Sequence, residues 1–372
     1  MKIGILTFSN GYNYGAILQC YALQQYLRNN NVDAEVVNFK KEKQYGSCNL
    51  LSPAYVLRKF YSFMYKIDIK KKRQKFDDFF NENINFSPTE EINEENISDY
   101  VKKYDILIFG SDQIWNMSEK IYDRSNVYFG DFDFCGKKVS YAASFGESIE
   151  IAQNNINFIK DKLEQFSAIS VREKSGCDFL SNNNIKNTFV VDPTLLLTKT
   201  EWELLCRSSK SKKIPSKYIL YYSVNCRKYS WSVAKKLSKL TGLKVINLEE
   251  HPKILGAGFI NDYCEGPNEF LELIKNAEYI VTNSFHGTVF SILFQKKLVP
   301  VFDTNEGEVI KEERKYSLLE MAGLLDIVTT NDNFKDVKVY NNINYKEVEK
   351  NIGHLVNKSK KFLNENCGGL DD

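Results

Sequence analysis

Short unbroken apolar blocks punctuate the chain, each ending in a turn and followed by a segment whose apolar residues recur at helical spacing. "KIGILTF" reads as a buried strand, and "AILQCYALQQYLRNN" follows as a helix with an asparagine-rich stop. "AEVVNF" is the next strand, which completes a βαβ unit, the building block of a parallel sheet. "YDILIFGSDQIW" repeats the move from apolar strand to glycine-containing turn, and "KVSYAASFG", "SAISVRE" and "NTFVVDPTLLL" add three more short strands.

After "DPTLLLTKTEW" the pattern restarts with "YILYYSV", "SWSVAKKLSKLTG" and "LKVINL" as strand, helix and strand. "NEFLELIKNA", "EYIVTNS", "GTVFSILFQ" and "KLVPVF" continue the alternation, and "NYKEVEKNIGHLVNKSKKFLNE" is an amphipathic helix. The pattern predicts an α/β protein of two doubly wound, Rossmann-like domains facing a cleft, residues 1–197 and 198–372, with a break near 193–200. The last helix is expected to pack back on the first domain. Ligands of such sheets bind outside the carboxyl ends of the strands, so four strand-end turns are the candidates for chemistry.

The first turn, "TFSNGYNYGAILQ", places Asn10, Gly11, Asn13 and Gly15 before a helix, where glycine lets the backbone approach a ligand and the helix start favours anions. It lacks the GxGxxG spacing of a dinucleotide site, and ordinary turn chemistry accounts for it equally well. The second, "IFGSDQIWN", carries Gly110, Ser111 and Asp112; the carboxylate suits either a sugar hydroxyl or the cap of a following helix. The third ends in Arg172, a planar fork for carboxylate or phosphate, or else one half of a charged pair with Glu173 or a contact between domains. The fourth, "VTNSFHGTVFSILF", brings Ser284, His286, Gly287 and Thr288 to a strand-to-helix turn. Amides, hydroxyls and an imidazole there suit an anion, with the histidine as phosphate ligand or proton donor. His251 and His354 have no such setting.

Charge narrows the partners. With 50 Lys and Arg against 48 Asp and Glu the net charge is +2, so no whole-molecule field points to nucleic acid. The eight cysteines form no CxxC pair and no zinc spacing, and the expectation is reduced, structural thiols and no metal site. The N-terminus lacks a signal-peptide pattern and no run reaches membrane-spanning length; the expected location is the cytoplasm. One segment stands apart. From Ser52 to Phe80, Tyr55, Phe60, Tyr61, Phe63, Met64 and Tyr65 interleave with Arg58, Lys59, Lys66, Lys70, Lys71, Lys72, Arg73 and Lys75. Such a surface suits either the headgroups of an anionic leaflet or a helix packed by its aromatics with solvated lysines.

Taken together and in order, "NYGAILQCYAL", "DILIFGSDQIWN", "VSYAASFG", "AISVREKSG", "VVDPTLLL" and "IVTNSFHGTVFSILF" resemble the polysaccharide pyruvyl transferase family over residues 13 to 294. The resemblance implies a GT-B-like fold and transfer of a pyruvyl group from phosphoenolpyruvate, the co-substrate, to a sugar of a polysaccharide or lipid-linked oligosaccharide, commonly as a cyclic ketal. It implies no other cofactor and no metal. By motif it assigns Arg172 and His286 to the donor, alongside Ser284, Gly287 and Thr288. Asn10, Asn13, Gly15, Ser111 and Asp112 are then expected on the acceptor side, with Asp112 and His286 as the catalytic pair. A lipid-linked acceptor would give the Ser52–Phe80 segment a reason to touch the inner membrane face. The rival expectations are a nucleotide-sugar glycosyltransferase of the same architecture and a non-catalytic glycan-binding protein on that fold.

Overall fold

In a computed structural model, the described residues are 1–9, 11–40, 69–87, 92–118, 125–207, 214–224, 230–248, 258–262, 264–305, 308–310, 312–330 and 333–368. Two five-stranded parallel sheets organise the chain. The first contains β1 (Lys2–Leu6), β2 (Asp33–Val36), β3 (Ile106–Phe109), β4 (Lys137–Ser140) and β5 (Phe166–Ala168), in the order β2-β1-β3-β4-β5. Two short strands, β6 (Ser170–Val171) and β7 (Thr188–Phe189), pair beside it. The second sheet contains β8 (Tyr218–Tyr222), β9 (Lys244–Asn247), β10 (Ile260–Asn261), β11 (Tyr279–Thr282) and β12 (Lys297–Pro300), in the order β10-β9-β8-β11-β12. The unbroken apolar character of β3, β8 and β11 follows from position, since every residue of these strands is buried and helices cover both faces of such sheets.

In each sheet the chain steps outward one way, then returns to build the other side. The reversal falls between β1 and β3 in the first sheet and between β8 and β11 in the second. A crevice opens at the carboxyl ends of the strands at such a switch point. Three of the four candidate turns, those after β1, β3 and β11, leave these strands directly.

Eight helices matter for the site and its support: α1 (Tyr14–Asn29), α2 (Ile69–Asn83), α3 (Lys174–Asn182), α4 (Ser230–Thr241), α5 (Pro267–Asn276), α6 (Phe285–Leu293), α7 (Glu313–Ala322) and α8 (Tyr345–Asn366). Helix α1 is buried around most of its circumference, because it packs on the first sheet and also against the second lobe. Tyr14 donates its hydroxyl to the Glu265 carbonyl at 2.6 Å and stacks on Phe270 with ring centroids 4.3 Å apart. A core shared between lobes explains why the helix shows little polar face. Helix α8 returns to the first lobe, where Val191 donates its N–H to Ser359 Oγ at 2.9 Å and Tyr141 meets Phe362.

Of the aromatic and basic stretch, residues 52–68 lie outside the described residues, including Tyr55, Arg58, Phe60, Tyr61, Phe63, Met64 and Tyr65. From Ile69 onward it is α2, which buries Phe76 and Phe79. Lys72 lies over the Tyr14 ring, the exposed Arg73 lies over the exposed Tyr12 ring, and Lys75 pairs with Glu265 and Glu269 of the second lobe. With Phe76 and Phe79 buried and Lys70, Lys71 and Arg73 exposed, these residues match the reading as a packed helix with solvated cations, and Lys75, which bridges to the second lobe, departs from it. No helix of the described residues is long and apolar enough to cross a membrane.

Candidate active site

After β1 the chain reaches α1 through Asn13, whose Oδ1 accepts the N–H groups of Gly15 and Ala16 at 2.9 and 3.2 Å. This is an N-cap, and it accounts for Asn13 although the residue also lines the cleft. Gly15 has a different reason to be glycine. A Cβ there would sit 2.0 Å from His286 Nδ1, so the start of α1 rests directly on the imidazole. Asn10 lies outside the described residues.

After β3 the backbone twists through Gly110 at φ 122° and Asp112 at φ 67°. A Cβ on Gly110 would meet the Tyr141 carbonyl oxygen at 2.2 Å, so only glycine fits. Ser111 is fully buried: its N–H donates to Gln19, its carbonyl accepts from Thr7, and its hydroxyl lies 3.3 Å from Asp192. Ser111 thus holds the turn from inside rather than presenting a group to the cleft. No helix follows Asp112 directly among the described residues, which removes the capping role. Its Oδ1 accepts from Arg172 Nη2 at 2.9 Å instead.

Arg172 is almost wholly buried between two carboxylates. Nη1 donates to Asp192 Oδ2 at 2.6 Å and Nη2 to Asp112, while the guanidinium lies 4.8 Å from the ring centroid of Phe285 in the other lobe. The pairing with Glu173 does not occur, because the Glu173 carboxylate accepts from the Phe145 N–H. Asp192 is the hub. It also accepts from the amide and hydroxyl of Thr194, and its Oδ2 faces His286 Nε2 at 3.6 Å. Burial alone would raise its pKa, but His286, Arg172 and Thr194 overcome that and hold it far below the usual carboxylate range. For Asp112 burial likewise pushes up and is outweighed by Arg172, His286 and Arg314, so it too is held below its ordinary value.

At the fourth turn Ser284 caps α6 through its Oγ, which accepts the Gly287 N–H at 3.3 Å. Thr288 donates its hydroxyl back to the Ser284 carbonyl and is fully buried. A Cβ on Gly287 would meet Thr282 Oγ1 at 2.4 Å. The hydroxyls and the Gly287 amide expected to converge on a ligand are therefore committed to shaping the turn. What the turn offers the cleft is the His286 imidazole, itself mostly buried, at the positive end of α6.

These elements wall one cavity between the lobes, with Asn13, Asp112, Gln113 and Gly146 on one side and Ser284, Phe285, His286 and Arg314 on the other. Arg314 opens α7, lies half-buried against the Gln113 amide at 3.1 Å, and shares the Phe285 ring with Arg172. Burial, then the neighbouring Arg172, lowers its pKa, yet a guanidinium stays charged at neutral pH. Its neighbour Lys315 is buried and holds the backbone, donating to the Asn283 and Val301 carbonyls. Sequence reasoning missed Asp192 and Arg314. "VVDPTLLL" was legible as a motif without a role for its aspartate, and "KEERKY" has the look of a solvated charge run, with no local signal that singles out Arg314.

Comparison with known proteins adds two findings. The chain resembles in fold the UDP-GlcNAc 2-epimerase of Neisseria meningitidis bound to UDP-GlcNAc, at 10% identity over 99% of both chains with a TM-score of 0.52. It also resembles that of Methanocaldococcus jannaschii, at 12% identity over 96% of this chain and 93% of the other, with a TM-score of 0.51. At such identity the likeness establishes the GT-B-like fold and nothing about substrate. No curated protein sequence matches the chain. The family model for polysaccharide pyruvyl transferase matches residues 13–305, a span that holds Asp112, Arg172, Asp192 and His286 and stops short of Arg314. The chain is a member of the polysaccharide pyruvyl transferase family, and hence a transferase.

Proposed function

We propose that the enzyme takes a pyruvyl group from phosphoenolpyruvate and closes it as a cyclic ketal on two hydroxyls of a glycan. Beyond family membership, the observation that carries this reading is that Arg314 and His286 line one cavity, with Arg172 buried directly behind Asp112 at its wall; Glu147, Glu312 and Glu313 also belong to the lining. Phosphoenolpyruvate is a compact anion with a carboxylate and a phosphate, and it calls for guanidinium forks and a helix start. Protonation of its methylene carbon gives an oxocarbenium-like centre. A sugar hydroxyl adds, inorganic phosphate leaves with its bonding pair, and the second hydroxyl closes the ring with loss of its proton.

In this scheme Arg314 receives the donor's anionic groups first. Arg172 Nη2, which donates to Asp112, exchanges that carboxylate for the donor, and Asp112 turns to the acceptor hydroxyl. Asp192 remains on Nη1 and keeps both Arg172 and His286 oriented. His286 delivers the proton to the methylene carbon, or binds the departing phosphate. Where the acceptor is carried on a lipid, the exposed cations of the Ser52–Phe80 segment, Lys70, Lys71 and Arg73 among them, would meet an anionic leaflet, and the protein would sediment with anionic vesicles less as salt rises.

Incubation with phosphoenolpyruvate and candidate glycans tests the reading, scored by release of phosphate and by a product mass gain equal to one pyruvyl ketal. The Neisseria meningitidis epimerase that the chain resembles in fold is bound to UDP-GlcNAc, so the same assay with that nucleotide sugar is the control. Consumption of the nucleotide sugar without use of phosphoenolpyruvate would replace the proposal with a glycosyl-transfer or epimerase chemistry.

A further inference from the structure

Glu173 is fully buried and stands outside the scheme above. It occupies the N-cap position of α3, yet its side chain makes no capping bond there. Instead it reaches back to the loop after β4, where Oε1 accepts the Phe145 N–H at 2.7 Å. Oε2 is buried with no hydrogen-bond partner. A buried carboxylate oxygen that no protein donor reaches is a costly arrangement. A carboxyl group with its proton on that oxygen removes the charge and turns the atom into a donor.

The loop that Glu173 holds is a wall of the cavity. The Ser144 hydroxyl accepts the Gly146 N–H at 3.1 Å, and Gly146, at φ 59°, packs against Gln113 on the same side of the cavity. The fit is close: a Cβ on Gly146 would lie 2.2 Å from Gln113 Oε1 and 2.5 Å from Asn116 Nδ2. Phe145, between these two residues, is buried against Trp115 and Phe179, and the bond its N–H donates to Glu173 holds the segment together with those from the Ser144 N–H to the Asp112 carbonyl at 3.0 Å and from the Trp115 N–H to the Ser144 carbonyl at 3.1 Å.

We propose that Glu173 is a positioning residue for donor binding, an un-ionised carboxyl group that pins the Ser144–Gly146 wall by accepting at Oε1 and carrying its proton on Oε2. The donor part of this inference rests on the function proposed above. Arg172, Arg314, the Ser144 hydroxyl and the Phe145 amide are the groups that act on the carboxyl. Burial pushes its pKa up, and the two guanidinium groups, the amide and the hydroxyl recover only part of that shift. The consequence for the site is electrostatic. Asp112 and Asp192 already oppose Arg172, Glu312 acts on Arg314, and Glu147 and Glu313 line the cavity, so a further anion at Glu173 would reduce the positive charge left for the donor. A neutral Glu173 keeps the wall in place and leaves that charge available.

Two measurements test this, and the first needs no donor. The infrared difference spectrum at pH 7 between wild type and Glu173→Gln should contain the C=O stretch of a protonated carboxyl group, present in wild type and absent in the variant. Its absence from wild type would overturn the proposal, whatever the donor proves to be. The second is calorimetric titration with phosphoenolpyruvate. Glu173→Gln, which keeps an acceptor and a donor without charge, should bind like wild type. Glu173→Ala should bind about tenfold or more weakly, as should Gly146→Ala, which displaces the same wall without touching the carboxyl group and stands in if Glu173→Ala does not fold. Binding by Glu173→Gln as weak as by Glu173→Ala, or unchanged binding in Gly146→Ala, would overturn the positioning role. Failure of wild type itself to bind phosphoenolpyruvate would count against the donor and leave the infrared result to decide Glu173.

Discussion

Replacing Gly15 by alanine adds one methyl group where the start of α1 rests on the His286 ring of the other lobe. The added Cβ would stand 2.0 Å from His286 Nδ1 and 2.5 Å from Cγ of the same ring, where ordinary contact begins near 3.4 Å. The ring or the helix start must therefore give way by about 1.4 Å, the difference between the two distances. Stability pulls both ways: alanine in a helix is favoured over glycine by about 1 kcal/mol, and the overlap costs roughly 1–3 kcal/mol. The net loss of stability should be no more than about 2 kcal/mol. Chemistry has no such compensation, because a shift of about 1 Å in a catalytic group costs on the order of 100-fold in rate. Gly15→Ala should consequently lower kcat for phosphate release from phosphoenolpyruvate by about that factor while Tm moves by a few degrees. Wild-type turnover in a folded Gly15→Ala protein would mean that the imidazole's placement does not matter, and would remove His286 from the chemistry.

Asp192→Asn should cost about 3–5 kcal/mol of stability, since it leaves the buried Arg172 without one of its two carboxylates. The pH dependence follows from the depressed pKa of Asp192: its contribution is present above the unfolded carboxylate value near 3.9 and is lost as pH falls below it. Acid unfolding monitored by circular dichroism should therefore be flatter in the variant. Arg314→Ala should weaken phosphoenolpyruvate binding by about 1.5–3 kcal/mol in calorimetry with little change in Tm; an unaltered affinity would return Arg314 to the protein surface. Asp112→Asn should lower kcat more than it alters donor affinity, the pattern of a group acting in the transition state, and equal losses in both would reassign it to ground-state binding.

The strands were legible because parallel strands buried on both faces must be apolar throughout, as "ILIF" and "YIVT" are. The switch-point turns were legible for the same reason, standing where those blocks stop. Arg172 and His286 could be picked out because a charged or titratable side chain directly after an apolar strand needs a reason. What the residues do to one another was not legible. Asp192 is 20 positions from Arg172 and His286 comes from the other lobe, and no local pattern records a contact made when two sheets face each other. Helix α1 was legible as a helix, but no local pattern says that its extra apolar positions serve the second lobe. The hydroxyls of Ser284 and Thr288 show the opposite error: residue types suited to a ligand are spent on the cap and first turn of α6.

The central claim is that this cleft is built for a small dianionic donor, and direct titration of the wild-type protein with phosphoenolpyruvate, beside His286→Ala and Arg172→Ala, tests it most directly. The account expects saturable binding by wild type, a loss on the order of 1.5–3 kcal/mol in each variant, and no competition by UDP-GlcNAc. Binding of UDP-GlcNAc without binding of phosphoenolpyruvate, or donor affinity unchanged in both variants, would contradict it.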